Sequence, residues 1–260
     1  MILFYLKKNF CDGWDNLLWI ALCNLVILAV GVAFYFGMGA ALELGPLSLL
    51  FLVIALPILM IPSFAASNCC ARLAAYKSVT IKDFFLEFRN VWKISILFGL
   101  FVTGVIFLGV VALPFYLKLN NLIGIFLAAL IFWTLLVTSL SMQWFMPVYS
   151  QLGGNFGKIL KKCFILFFDN SGFSLFMGIY SILLVPLSFL LAFLAPGATG
   201  IILAHNNALR LRLYKYDWLE TQSDVDTKVA RKQIPWDELL AEDKETVGPR
   251  SFKSFIFPWK

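Results

Sequence analysis

Charge is what this sequence has least of. Only 14% of its 260 residues are Asp, Glu, Lys or Arg, and it holds one histidine. Soluble domains average about 25% charged and about 45–50% apolar, whereas this chain is 61% hydrophobic and 17% aromatic. Disorder is excluded, because it needs low hydrophobicity and high charge. A water-soluble domain is disfavoured, because there is too little polar surface to cover so much apolar matter. Cysteine is sparse and odd in number: Cys11, Cys23, Cys69, Cys70 and Cys163. No CxxC occurs and no histidine stands at ligand spacing, so neither a disulfide framework nor a zinc site is expected. Adjacent Cys69 and Cys70 read as small residues at a helix packing face. Sequences of the P-loop, HExxH and GxSxG types are missing, and no paired carboxylates fall within an apolar run. The expectation is a protein that is not an enzyme and takes no cofactor. A cleaved leader is not expected either. Lys7 and Lys8 are followed by Asp12 and Asp15, the next apolar run is too long for a signal, and Cys23 follows Leu22 rather than a small residue.

What is present is a set of long apolar runs. Crossing about 30 Å of hydrocarbon takes about 20 residues at about 1.5 Å each. Runs over 17–42, 46–71, 94–117, 122–147 and 173–194 meet that length, broken by turn signals such as Gly45-Pro46 and Asn120-Asn121. A shorter, more polar run over 197–214 follows Ala195-Pro196-Gly197 and holds His205, Asn206 and Asn207. The fold class is therefore all-α, a polytopic transmembrane helix bundle. Six spans are expected, as three helical hairpins, with five as the alternative.

The basic residues decide between these counts. With the N-terminus in the cytoplasm, six spans place Arg210, Arg212 and Lys215 inside and leave Lys118 as the one basic residue of the body outside. Five spans would strand all three outside. The overall charge of +6 then resolves into a body, 1–216, of +8 and a tail, 217–260, of −2. It is an orientation signal rather than a nucleic-acid footprint, so no nucleic-acid partner is expected.

An internal similarity supports six. Asn68 to Lys77 and Asn206 to Lys215 both read N-x3-R-L-x2-Y-K, each after an apolar run containing a proline. Positions i, i+4 and i+8 share one helix face. Asn68, Arg72 and Tyr76, with Asn206, Arg210 and Tyr214, are thus candidates for one polar cluster at the inner face, binding lipid phosphate or pairing between hairpins. Within the spans, Asn24, Gln143, His205 and Asn207 are the candidate intramembrane polar groups, and none of them is an acid. A proton- or cation-coupled transporter usually buries an Asp or Glu, which counts against that class.

Three amphipathic segments, 3–16, 80–93 and 155–168, lead into the three hairpins. In the second, Phe84, Phe85, Phe88 and Trp92 form an apolar stripe, with Arg89 among the charges on the rest. The third carries Lys158, Lys161 and Lys162. Such helices lie in the membrane interface or dock a partner. In the tail, Pro235-Trp236-Asp237-Glu238 starts a helix that Gly248-Pro249 would close. The aromatic-basic end holds Phe255, Phe257 and Trp259. Trp236 and these three are candidates for docking to lipid or protein.

The layout resembles the YesL-like family of bacterial integral membrane proteins. The resemblance rests on Trp14 to Trp19 leading into span one, the exit of span two from Pro62 to Ala71, Phe84 to Arg89 before span three, and Gly154 to Lys161 before span five. It covers roughly 1–216 and leaves the tail out. It implies an uncharacterised bacterial integral membrane protein associated with carbohydrate utilisation and sugar-transporter subunits, and the charge pattern adds an inner-membrane location with both termini cytoplasmic. It supplies no catalytic residues. Membrane lipids are the other expected partner. A small stand-alone transporter or channel, and a lipid-binding protein, are the alternative functions.

Overall fold

Each long apolar run forms a helix, because a backbone in lipid must satisfy its own polar groups. The computed structural model describes residues 1–43, 45, 48–222, 231 and 233–250. Its helices in chain order are α1 Ile2–Asp15, α2 Leu17–Leu42, α3 Ser48–Ala74, α4 Ile81–Phe107, α5 Leu113–Lys118 and α6 Leu122–Met142. Then follow α7 Phe145–Leu152, α8 Phe156–Asp169, α9 Ser171–Leu190, α10 Gly197–Thr221, α11 Trp236–Leu239 and α12 Ala241–Val247. No strand occurs among the described residues. Five helices are long and apolar enough to cross a membrane: Leu17–Leu42, Ser48–Ala74, Ile81–Lys118, Leu122–Leu152 and Ser171–Leu190. The chain is a multi-pass membrane protein. Its apolar helices expose many large side chains, Leu18, Phe36, Phe126 and Leu190 among them, which are lipid-facing positions.

Helix α10 is not among those five, although its 25 residues give it a length of about 37 Å. Its polar residues lower its hydropathy, and it runs without a break through the expected boundary at 216. It is nonetheless a core element. Ile202, Leu203, Ala204, Ala208, Leu209 and Leu211 are all buried, and it packs on α1, α2, α3, α7 and α9. Contacts from Gly197 to Ser188, from His205 to Ser181 and from Tyr216 to Asn170 run in opposite order along α9 and α10, so the two form an antiparallel hairpin.

The second leader departs from the sequence expectation. Residues 81–93 do not form a separate interfacial helix. They are the first half of α4, which is continuous through a π turn at Leu108–Ala112 to Lys118. No helix breaker separates Lys93 from Ile94, and Thr80 and Asp83 form a capping box that sets the start of the rod. Only the start of its stripe meets protein, while Phe85 and Trp92 stay exposed. Phe84 is fully buried, with its ring 6.5 Å from Trp19 and 5.1 Å from Phe88. At 38 residues the rod is about 57 Å long, nearly twice the hydrocarbon thickness. The rod is thus longer than one crossing needs, and its charged residues, Lys82 to Lys93, lie at one end of it. Pro114, one turn past the π segment, cannot donate to a carbonyl in the preceding turn, which accounts for the irregularity there.

The first and third leaders are separate helices, α1 and α8. Each stops at an asparagine whose side-chain amide donates four residues back: Asn16 to the Asp12 carbonyl at 2.9 Å, and Asn170 to the Leu166 carbonyl at 3.1 Å. Both asparagines leave helical geometry, so the chain turns before the next helix. Helix α1 buries Tyr5, Lys8, Asn9, Cys11 and Asp12 against the bundle.

Helices α3 and α4 approach most closely at Gly99, where an added Cβ would run into the backbone of Pro57. Gly99→Leu should therefore destabilise the bundle by about 1–3 kcal/mol, while Gly104→Leu, at a position open to its surroundings, should change little. Thermal unfolding in detergent measures both. Equal midpoints would contradict the tight α3–α4 approach.

Candidate functional site at the charged end

The polar groups of the apolar region are spent on holding helices together. Asn24 on α2 donates to the carbonyls of Leu194 and Pro196, each at 2.9 Å, and accepts from the Thr199 amide at 2.8 Å. It thus ties down the turn that starts α10. Gly197, at φ +58, packs directly on this side chain and leaves no room for a Cβ. Gln143 donates to the Ser174 carbonyl at 2.7 Å, beside the Trp144 indole on the Ser174 hydroxyl at 2.9 Å. His205 pairs with Ser181 at 2.8 Å. Asn206 donates to Ser67 at 3.1 Å and receives Gln151 on its carbonyl at 2.8 Å, which joins α10, α3 and α7. Of the four candidate intramembrane groups, Gln143 and His205 share a cavity of about 300 Å³ with Met60, Met142 and Met146. Asn24 and Asn207 lie elsewhere, so the four do not line one route.

The charged end holds two ionic clusters. In the first, Lys8 is fully buried, with Nζ 3.0 Å from Asp12 Oδ2 and 3.7 Å above the centre of the Tyr76 ring. Asn207 donates to Asp12 at 3.0 Å and to Asn9 at 2.9 Å, which links α10 to α1. One turn further along α10, the Arg210 guanidinium lies 5.6 Å from the Tyr76 ring and 5.4 Å from that of Tyr214. Two cations therefore lie over the Tyr76 ring. Arg210 approaches Asp243 of α12 at 3.6 Å, and the Tyr214 hydroxyl donates to the same carboxylate at 3.4 Å. Burial pushes the Lys8 ammonium below the ordinary lysine range, although Asp12 beside it and Asp243 nearby act to hold it up. Burial likewise pushes Asp12 above the ordinary carboxylate range, against the pull of Lys8 and Asn207. Both shifts run towards neutrality, as expected where desolvation outweighs pairing.

In the second cluster, Asp169 accepts from Lys215 and from Tyr216, both at 2.6 Å, and Arg231 reaches its other oxygen at 2.7 Å. Asn170 donates to Tyr216 at 2.7 Å and accepts from Lys215 at 3.1 Å. This network clamps the α8–α9 elbow to α10. Burial acts to raise Asp169, but the hydrogen bonds from Lys215 and Tyr216 outweigh it and hold the carboxyl below its ordinary value.

The C-terminal segment belongs to this layer. Leu240 and Val247 are buried, Lys7 donates to the Gly248 carbonyl at 2.7 Å, and Arg250 pairs with Asp15 at 2.6 Å. Arg212 lies 4.1 Å from the Phe173 ring and 5.5 Å from that of Trp236. Trp236, expected to dock lipid or another protein, stands against its own chain. The helix expected to start there breaks at Leu240 into α11 and α12.

The predicted six-residue cluster is only half assembled. Tyr76, Arg210 and Tyr214 come together. Asn68 and Arg72 face α4 instead, where Asn68 donates to Glu87 at 2.9 Å and Arg72 lies 3.5 Å from Asp83. Asn206 is buried among α3 and α7. The two N-x3-R-x3-Y stripes diverge because α3 ends at Ala74 and Tyr76 takes φ +58, outside the helix, while α10 stays helical past Tyr214. Lys8 and Asp243 were not foreseen in the cluster. The i, i+4 spacing of Lys8 and Asp12 is a local signal for that pair, whereas nothing local points to Asp243. Of the candidate docking residues, Phe84 is buried and Phe88 half-buried, while Arg89, Trp92, Lys158, Lys161 and Lys162 are exposed. Phe255, Phe257 and Trp259 lie outside the described residues. Comparison with protein-family models, curated proteins and solved structures finds no match for this chain.

Two outcomes follow from the clusters. Lys8→Met alone should cost about 3–5 kcal/mol, because it leaves Asp12 as a buried charge without its cation, while Lys8→Met with Asp12→Leu should regain most of that loss. Chemical unfolding in detergent decides it, and equal costs would show that Lys8 and Asp12 do not act as a pair. The depressed Asp169 makes its stabilisation complete above the ordinary value of 3.8 and lost as pH falls below it. Asp169→Asn should flatten that acid limb in a pH series of melting curves.

Proposed function

We propose that this chain is a non-enzymatic accessory or scaffold subunit of the bacterial inner membrane, working beside a carbohydrate uptake transporter. The observation that carries the scaffold part is the use of the polar side chains. Asn24, Gln143, Asn206 and Asn207 each bond to another helix or turn, and His205 to Ser181. They serve cohesion between helices rather than a continuous path across the bundle. The surface left for another protein is at the charged end, where Arg89 and Trp92 on α4 and Lys158, Lys161 and Lys162 on α8 are exposed. Rigid rods bearing mixed aromatic and basic groups suit a docking platform. The carbohydrate system rests on the resemblance to the YesL-like family alone.

In this reading the charged end is cytoplasmic, α10 is the sixth crossing and both termini lie inside. Positive charge supports it, since Arg210, Arg212 and Lys215 sit in the same layer as Lys7 and Lys8.

Mild-detergent isolation at native expression should recover a sugar-transporter subunit with this protein, and replacing Arg89, Trp92 and Lys161 together should reduce recovery about tenfold. Isolation as a lone species would overturn the scaffold reading. Flux through proteoliposomes of the purified chain, lost on replacing Gln143 or His205, would favour a stand-alone channel instead. For topology, a single cysteine at position 221 in a chain whose native cysteines are replaced should resist an impermeant thiol reagent in intact cells. Labelling there would defeat the six-span arrangement.

A further inference from the structure

The first ionic cluster is built more generously than its own contacts require. Lys8 and Arg210 bring two cations over one tyrosine ring, and Asp12 offsets one of them. The other is met by Asp243, which arrives on a segment far away in sequence. That contact is poor. Arg210 and Asp243 approach once, at 3.6 Å, instead of through the paired bonds of about 2.7–2.9 Å that a guanidinium and a carboxylate can make. Among the described residues, Arg210 Nε and Asp243 Oδ2 are both buried without a hydrogen-bond partner. The same chain makes full ion pairs elsewhere at this end, at 2.6 Å for Lys215 with Asp169 and 2.7 Å for Arg231 with Asp169. An unmade bond at a buried charged pair is costly. Arg210 thus keeps an unused N–H donor beside a carboxylate whose second oxygen accepts nothing, so the two are mismatched in geometry rather than in charge.

We propose that the position Asp243 fills beside Arg210, Tyr214 and Tyr76 binds a phosphate-type oxyanion, and that Asp243 of the C-terminal segment is its built-in competitor. A phosphoryl group offers three or four oxygens in tetrahedral array. These can accept from Arg210 Nε and Nη and from the Tyr214 hydroxyl, while the buried Lys8 adds positive potential without a direct bond. With Asp243 gone, two cations face one carboxylate in a partly desolvated site, which favours an incoming anion. The segment that plugs the site is built to leave. Helices α11 and α12 have four and seven residues, too short to be stable alone. They are held by the seats of Leu240 and Val247, by Lys7 on the Gly248 carbonyl, and by the exposed Arg250–Asp15 pair. The Arg210 side chain is about a quarter exposed whereas that of Asp243 is buried, so the site is reached from the Arg210 side. This site does not depend on the scaffold reading; it adds to it an anion-dependent release of the tail.

The test uses the full chain in nanodiscs and reads hydrogen–deuterium exchange over residues 236–248, with binding followed in parallel. Three conditions are compared: phosphatidylcholine alone, phosphatidylcholine with added inorganic phosphate, and discs containing phosphatidic acid. Release of the segment by inorganic phosphate identifies a soluble phosphate as the ligand source, and release only in phosphatidic acid discs identifies a lipid headgroup. In either case Asp243→Asn should bind about tenfold more tightly, because it removes a competitor held at high effective concentration. Arg210→Gln should abolish the response. Tyr214→Phe, which keeps the ring and removes only the hydroxyl, should weaken it in a chain whose folding is unperturbed. No change in segment exchange under any condition, with equal binding by wild type and Asp243→Asn, would overturn the proposal.

Discussion

Helix α10 occupies the middle of the bundle because each side-chain amide it brings there has somewhere to bond. Asn206 meets Ser67, Asn207 meets Asn9 and Asp12, and His205 meets Ser181. The turn that starts the helix is held by Asn24. Water cannot supply these bonds in an apolar interior, so each partner has to come from another helix. The requirement couples α10 to α1, α2, α3 and α9 at once. Moving any of those helices would leave a buried amide unpaired, which costs more than the apolar contact it would gain elsewhere.

The same helix carries that order out to the charged end. Past Leu209 its face changes from amides to Arg210, Arg212 and Lys215, and each cation is received differently. Arg212 rests on aromatic rings, Lys215 is clamped by Asp169, and Arg210 is met imperfectly by Asp243. A gradient of satisfaction therefore runs across one short stretch of helix. The well-paired Lys215 fixes the elbow between α8 and α9. The poorly paired Arg210 lies against the C-terminal segment.

Local chemistry accounts for much of the layout. Apolar run length set five of the helices, the Thr80–Asp83 spacing capped α4, and asparagine interruptions at 16 and 170 ended α1 and α8. The amphipathic stripe of Phe84 and Phe88 was also legible, but what it faces was not, since a stripe reads the same whether lipid or protein covers it. Here protein covers Phe84. The repeated N-x3-R-x3-Y pattern misled for a related reason. It describes a helix face, and Tyr76 stands just beyond the end of its helix.

Composition and run length, on their own, determined an all-α multi-pass membrane protein, because hydrocarbon admits few ways to satisfy a backbone and a long uncharged run has one of them. They also concentrated positive charge at one end. Tertiary structure alone decided which charges meet. Lys8 and Asp243 are separated by almost the whole chain, yet they lie within electrostatic reach of one another, because the C-terminal segment folds back over α1 and α10. Pairing across such a distance is set by where helices stop and turn, and no residue pattern along the chain encodes it.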